Sequence, residues 1–284
     1  MLRLFFWMIS HLPHRLRRAI GFVLGCVVYR VARSRVSIAK RNLTLCFPNA
    51  PANQLQSWLK RNAILTTQTL IDRAWLWMGK PSDLQKRLSL SGAELLQTEA
   101  PLIIISPHFL AFDAAVSRIA MERQIGGIYR AASNRAFDLL MREGRYRFNQ
   151  TELFEKDLGV RPLLSLLEQK IPIFYLNDQD HGVSSASFIP FFGIPAATVQ
   201  VIPKLIHTRG ARVLLCESRL SPDGYQIELK VDQHLSNLCA TGDYTQALHY
   251  LNQWTEKVIQ QDPTQYLWMH RRFKTRPKGH NPLY

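Results

Sequence analysis

Cysteine is scarce in this chain: four residues in 284, at positions 26, 46, 216 and 239, with no C-x-x-C pair among them. That spacing argues against both a zinc site and a disulfide framework, and it fits a reducing, cytoplasmic-side environment. Neither G-x-x-x-x-G-K nor G-x-G-x-x-G occurs, so the phosphate cradle of nucleotide-dependent enzymes is missing. The G-x-S-x-G elbow of serine hydrolases is missing too. Acidic residues are few, 21 Asp and Glu against 36 Lys and Arg, which leaves a formal charge of +15. Such an excess calls for an anionic partner: nucleic acid, anionic lipid headgroups or an acidic carrier protein.

Long apolar runs are lacking as well. The most apolar stretch, Ala19 to Tyr29, is shorter than the roughly 20 residues of a spanning helix, and Arg30, Arg33 and Arg35 follow it where a secretory signal would have small residues. Around it stand the bulky "MLRLFFWMI" and the basic "HRLRR" and "RVARSR". Basic amphipathic segments of this kind bind anionic membrane surfaces. Residues 1–35 are therefore expected to form an N-terminal hydrophobic membrane-anchoring helix, interfacial or marginally spanning, ahead of a domain at 36–284. A core helix with an exposed basic edge is the competing account.

The remainder reads as an α/β chain. From about residue 50 to 80 the apolar residues recur at three and four, as in an amphipathic helix. Continuously apolar runs then alternate with helical patterns: "LIIIS", "GGIYRAA", "IPIFYL" and "ARVLLCES" as strands, with "FLAFDAAVSRIAMERQ", "RAFDLLMREGRYRF", "RPLLSLLEQK" and "TVQVIPKLIHTRG" as the helices between them. A strand "YQIELKVD" and a helix "DYTQALHYLNQWTEKVIQ" follow. Strands apolar on both faces imply a largely parallel central sheet flanked by helices. In such sheets ligands sit beyond the carboxyl ends of the strands, where "PHFLAFD", "RAASNR" and "NDQDHG" all fall.

Three clusters in that region carry chemistry. His108 and Asp113 are five positions apart; five residues of helix would turn their side chains about 140° from each other, so contact requires His108 to lie on the loop before the helix. An imidazole held by a carboxylate has a fixed tautomer and raised basicity, as a general base needs; packing is the alternative. Arg145 and Arg147, in "EGRYRF", suit phosphate or carboxylate binding through paired hydrogen bonds, or form a solvated helix face. Asp178 and Asp180, in "YLNDQDHG", are suited to binding a metal, orienting an arginine, bonding a sugar hydroxyl, or capping a turn.

The set "PHFLAFD", "GRYR", "NDQDHG…FIPFFG" and "QYLWMHRRFKTRP" resembles the late, or secondary, acyltransferases of lipid A biosynthesis, the lauroyl and myristoyl transferases of Gram-negative bacteria, over nearly the whole chain. The resemblance implies a lysophospholipid-acyltransferase-like fold, with His108 as general base and Asp113 as the acid that orients it. Arg145, Asp178 and Asp180 match other motif positions that complete the active site. It further implies transfer of a fatty acyl chain from acyl carrier protein to a hydroxyl on an acyl chain of a lipid A precursor, without metal or other cofactor, at the cytoplasmic face of the inner membrane. Arg271, Arg272 and Lys274, in the tail "HRRFKTRPK", then become contacts for the headgroup or the carrier, and Phe188, Phe191 and Phe192 line the acyl path or pack a loop.

Three other readings compete. An acyltransferase for another membrane lipid, such as a lysophosphatidate, would share the His and acid pair, but "GRYR" and "WMHRRFKTRP" favour lipid A. A nucleic-acid-binding module would leave the buried strands and the His–Asp site unexplained, so no nucleic acid is expected. An inactive membrane scaffold has no use for an intact His108 and Asp113.

Overall fold

A computed structural model describes residues 1–182 and 186–284. Its core is a seven-stranded sheet in the order β1 (Leu88–Ser91), β9 (Gly224–Val231), β8 (Arg212–Ser221), β2 (Leu102–Ser106), β5 (Ile173–Leu176), β3 (Gly126–Tyr129) and β4 (Glu152–Glu155). Every neighbouring pair is parallel except β8 with β9, a hairpin. The largely parallel sheet expected from the apolar runs is therefore present. Its most central strand, β2, is buried at all five positions, and helices cover both faces.

One face carries α4 (Ala52–Met78), α5 (Pro81–Arg87), α6 (Phe112–Glu122) and α7 (Arg135–Tyr146), packed on Ile104, Phe174, Leu214 and Ile227. The other carries α8 (Arg161–Glu168), α9 (Val201–Arg209), α10 (Gln233–Ala240) and α11 (Tyr244–Gln261), packed on Ile103, Ile105, Ile173 and Val213. Alternate residues of β2 thus feed opposite cores, which is why the strand is apolar throughout rather than alternating.

The N-terminal segment departs from the expected single anchoring helix. It folds as α1 (Leu2–His11) and α2 (His14–Val31), broken at Leu12 and Pro13, followed by α3 (Arg33–Cys46). Among the described residues no helix is long and apolar enough to cross a membrane. Instead α2 lies against α4: Gly21 and Gly25, one turn apart, bring the two backbones so close that an added Cβ would sit 2.7 Å from Gln68 Cα or 2.4 Å from Ile64 Cα. The Thr67 hydroxyl donates to the Gly21 carbonyl at 2.6 Å. Buried Arg17 pairs with buried Asp72 at 2.8 Å, and Tyr225 of β9 donates to the same carboxylate, so the segment is tied to the sheet.

A second departure is "TVQVIPKLIHTRG". Its first residues belong to β7 (Ile194–Val199), which pairs antiparallel with β6 (Ala186–Phe191) outside the main sheet, and α9 begins only at Val201. Phe192 and Gly193 join these strands with φ of 50° and 75°, both positive as in a two-residue type I′ turn. Phe191 is buried among Tyr266 and Phe273 and Phe192 packs on Phe47; of the two accounts of "FIPFFG", loop packing is the one these contacts fit.

Candidate active site

The site forms where β2 and β5 end side by side. Their register pairs Ser106 with Leu176, so His108 and Asp178, each two residues past its strand, come together. The backbone N–H of His108 donates to both oxygens of Asp178 at 3.1 and 3.0 Å, and Nδ1 donates to Oδ1 at 2.6 Å. A carboxylate on Nδ1 fixes the tautomer with the lone pair on Nε2, and the ring lines a cavity. Burial alone would raise the Asp178 carboxyl, but the charge and hydrogen bond of His108, with the Tyr266 hydroxyl and the His108 amide, outweigh it and hold the group at about 2. At neutral pH the acid beside the imidazole is therefore ionised.

This arrangement corrects the expected pairing of His108 with Asp113. His108 does lie on the loop, and α6 begins only at Phe112, but Asp113 turns to two guanidiniums. Its Oδ1 accepts from Arg145 Nε and Nη2 at 3.1 and 2.5 Å, and its Oδ2 is 2.7 Å from Arg73 Nε. Burial acts to raise the Asp113 carboxyl, but Arg145 and then Arg73 overcome it and the group is lowered. Both guanidiniums lie 5.8 Å from the Phe112 ring and line the cavity. Two cations on one carboxylate leave one formal positive charge at the mouth.

The C-terminal tail packs beside the site and places His270 in the cavity lining. It runs antiparallel to the His108 loop: Leu110 N–H donates to Gln265 O, and Leu267 N–H to His108 O. Two asparagines hold it from behind. Asn62 donates to the carbonyls of Thr264 and Tyr266, and Asn42 to those of Trp268 and His270, all at 2.7–2.8 Å. Each amide thus takes two tail carbonyls that lie two residues apart. Sequence reading missed Asn42, Asn62 and Arg73 because each sits inside a regular helical pattern; buried asparagines in a helix are the one signal that was available.

Asp180 secures the same tail. Its carboxylate accepts from the amide and hydroxyl of Thr275 at 2.6 and 2.8 Å, and its own amide donates to His270 Nε2 at 3.0 Å. Burial pushes the His270 imidazole down to about 4, and burial together with nearby Lys156 does the same to His181; both line the cavity in neutral form.

The remaining predicted residues separate. Arg147 donates to the Leu76 and Gly79 carbonyls, bracing α7 against the end of α4. Arg272 is buried and donates to Ala197 O and Thr198 Oγ1, clipping the tail to β7. Both guanidiniums are committed to protein oxygens. Arg271 and Lys274 are exposed on the tail.

The cavity that contains His108, Arg73 and Arg145 has a volume of about 710 Å³ and continues along β3 and β5 past apolar side chains such as Ile125, Ile128 and Phe174. An imidazole held by a carboxylate, a cationic pair and an apolar pocket in one cleft suit acyl transfer.

Comparison with known proteins agrees with that chemistry. A family model described as bacterial lipid A biosynthesis acyltransferase matches residues 2–275. The chain belongs to this family. It is 30% identical to a lipid A biosynthesis acyltransferase of Haemophilus influenzae, over 95% of this chain and 88% of the relative. Against the lipid A biosynthesis lauroyltransferase of Escherichia coli the identity is 29%, covering 96% and 90%; against the myristoyltransferase of the same organism it is 26%, covering 94% and 84%. The resemblance read from the motifs is thus a family membership, and the chain is an O-acyltransferase of lipid A biosynthesis.

Proposed function

We propose that the protein transfers a fatty acyl group from acyl carrier protein to a hydroxyl on an acyl chain of a lipid A precursor. The observation that carries the proposal is His108, locked on Asp178, at the mouth of a cavity shared with Arg73 and Arg145. His108 Nε2 removes the proton from the acceptor hydroxyl, and the oxygen attacks the thioester carbonyl. The amides of Phe109, Leu110 and Phe112 already donate to carbonyls, so the oxyanion is better served by the Arg73 and Arg145 N–H groups that do not bond Asp113. The tetrahedral intermediate collapses, the C–S bond breaks, and the imidazolium returns its proton to the departing thiolate. No covalent enzyme intermediate and no cofactor enters the sequence.

The same reading places the enzyme on the cytoplasmic face of the inner membrane. Leu4, Phe5, Trp7 and Met8 of α1 and Phe22, Val23 and Val27 of α2 are exposed, with Arg15, Arg30, Arg33 and Arg35 also exposed nearby. Apolar bulk rimmed by cations suits an anionic bilayer surface without spanning it. On its inner side α1 stacks Phe6 on Trp77 at 5.8 Å and packs on Phe137 of α7, the helix that supplies Arg145. A membrane-facing element thus adjoins the cavity. Arg271 and Lys274 are kept as contacts for the anionic headgroup or carrier.

The test is acyl transfer from acyl carrier protein thioesters to a purified tetra-acylated precursor, read by mass spectrometry for wild type and His108→Ala. One added acyl group with wild type, and a loss of about a hundredfold or more with the variant, is expected. Product from both would remove His108 as the base; activity with lysophosphatidate alone would move the protein to another lipid.

A further inference from the structure

The formal charge of +15 is not spread over the chain. Residues 1–71 and 263–284 hold 16 of the 36 Lys and Arg and none of the 21 Asp and Glu, while residues 72–262 hold 20 cations against all 21 acids. The middle segment, which supplies the whole sheet, is thus close to neutral, and the excess sits in the two ends. The fold brings those ends together. α3 and the tail share one apolar cluster through Ala39, Leu43, Trp268 and Phe273. Arg41 Nε donates to Leu283 O at 3.0 Å, and the Tyr284 hydroxyl bonds Asn42 Oδ1. Three acids of the middle segment stand beside this body, and each already accepts from the protein: Asp180 from Thr275, Glu256 from the Phe192 amide and Asp262 from Thr264.

The basic ends present two kinds of surface. α1 and α2 expose Phe5, Trp7, Phe22 and Val23 among their cations, as a bilayer contact requires. On α3 every exposed residue is Arg, Lys, Ser or Thr, so that helix offers a membrane no apolar group to bury. Lys40 and Arg41 are exposed on α3, and Arg271 and Lys274 on the tail. The Arg271 guanidinium lies over the Tyr284 ring at 5.8 Å, and Lys274 N–H donates to Arg271 O at 3.2 Å. Among the described residues none of these four cations is paired with a carboxylate. Cations on a scaffold fixed by hydrogen bonds suit a folded acidic partner, whose carboxylates are fixed too. They also adjoin the chemistry, since His270 lines the cavity and Arg271 is the next residue.

We infer that the surface formed by α3 and the C-terminal tail is the docking site of the acidic carrier protein that delivers the acyl thioester. The inference rests on the acyl-transfer reading above and divides the charge left open there: Lys40, Arg41, Arg271 and Lys274 meet the carrier, while α1 and α2 meet the bilayer. Complementary charge at such a dock speeds encounter and fixes the carrier's orientation. The thioester is then presented on the side of the cavity where the tail supplies His270.

The test measures binding apart from turnover. Holo acyl carrier protein is titrated by calorimetry into wild type, Lys40→Glu/Lys274→Glu and Arg41→Glu/Arg271→Glu at low salt. A control, Lys86→Glu/Lys204→Glu, removes the same charge from exposed sites of the near-neutral segment. Each variant of the dock should bind the carrier about tenfold or more weakly, with the gap narrowing in about 0.5 M salt, while the control stays within about twofold of wild type. Lys40→Arg/Lys274→Arg keeps both charges and should bind like wild type, which separates charge from shape. Sedimentation with vesicles of phosphatidylglycerol and phosphatidylethanolamine is run on the same proteins. Carrier affinity that is unchanged in both dock variants would overturn the inference, as would an equal loss in the control. Dock variants that lose vesicle binding as steeply as carrier binding would overturn it too, and would assign the cations to anionic lipid. Carrier binding that depends on the dock, in a protein that acylates no lipid A precursor, would uphold the surface and sink the reaction.

Discussion

Asp178 and Asp113 are both buried aspartates behind the side chains that line one cavity, and they do opposite things. Asp178 accepts from the His108 imidazole with one oxygen and from the His108 backbone N–H with both; Asp113 faces two guanidiniums and divides its oxygens between them. The first pairing orients the His108 imidazole, as the proposed base requires. The second holds Arg73 and Arg145 in place and leaves a net positive charge, as the proposed oxyanion site requires. A carboxylate's function at this site is decided by its partner, and the partner is decided by which strand or helix the fold sets beside it.

The largest effect should come from Asp178→Asn. The amide removes the charge and can present its own N–H to Nδ1, favouring the wrong tautomer, so transfer should fall by about a hundredfold to ten-thousandfold, in kcat rather than KM. The pH dependence of stability follows from the lowered carboxyl. Because the folded value, about 2, lies below the ordinary value near 3.9, the stabilisation is fully present above that ordinary value and is lost as pH falls through about 2. Urea unfolding of wild type and variant should therefore differ by a constant amount above about pH 5 and draw together as pH falls from about 4 to about 2. A difference that persisted unchanged to pH 2 would sink the assignment.

Removing the other carboxylate should show in a different observable. Asp113→Ala leaves two partly buried guanidiniums facing each other, a loss of about 3 kcal/mol in urea unfolding. Transfer should fall as well, through loss of the positioned cations. A variant as stable as wild type would show that Asp113 does not hold the two guanidiniums. A smaller step in the same series is Arg73→Ala against Arg145→Ala. Arg145 is the less exposed and makes two hydrogen bonds to Asp113, whereas Arg73 contributes one contact and is about a quarter exposed. About 1 kcal/mol is expected for Arg73 and about twice that for Arg145.

Much of this division could be read from the sequence, and part of it could not. The all-apolar "LIIIS" and "IPIFYL" announced buried parallel strands, and the five-residue gap between His108 and Asp113 already required the histidine to sit on a loop. Strand order was invisible. Nothing in the spacing says that the strand ending at Leu176, some seventy residues later, lies next to the one ending at Ser106, so the true partner of His108 stayed hidden. Arg145 was found because "GRYR" is a motif, whereas Arg73 was lost in the helical run "TLIDRAWLW". The tail motif "QYLWMHRRFKTRP" was recognisable, but its role depends on Asn42, Asn62 and Asp180, which reach it across the fold. At the N-terminus, composition suggested an anchor; Gly21 and Gly25, four apart, recorded instead a helix packed closely on α4.

The smallest effect at neutral pH belongs to His270, which stands near Asp178 and Asp180 and carries no charge. Its Nε2 accepts the Asp180 amide, and only a neutral ring can accept there. The folded value of about 4 lies below the ordinary 6.5, so protonation favours the unfolded chain: the neutral ring's contribution is complete above about pH 6.5 and is lost as pH falls towards 4. Linkage over that window amounts to about 2 kcal/mol at pH 5. His270→Gln keeps an acceptor for the amide and removes the titration. It should therefore unfold within about 0.5 kcal/mol of wild type at pH 7.5 and outlast it at pH 5, where a merely structural histidine would leave the variant no better than wild type at either pH.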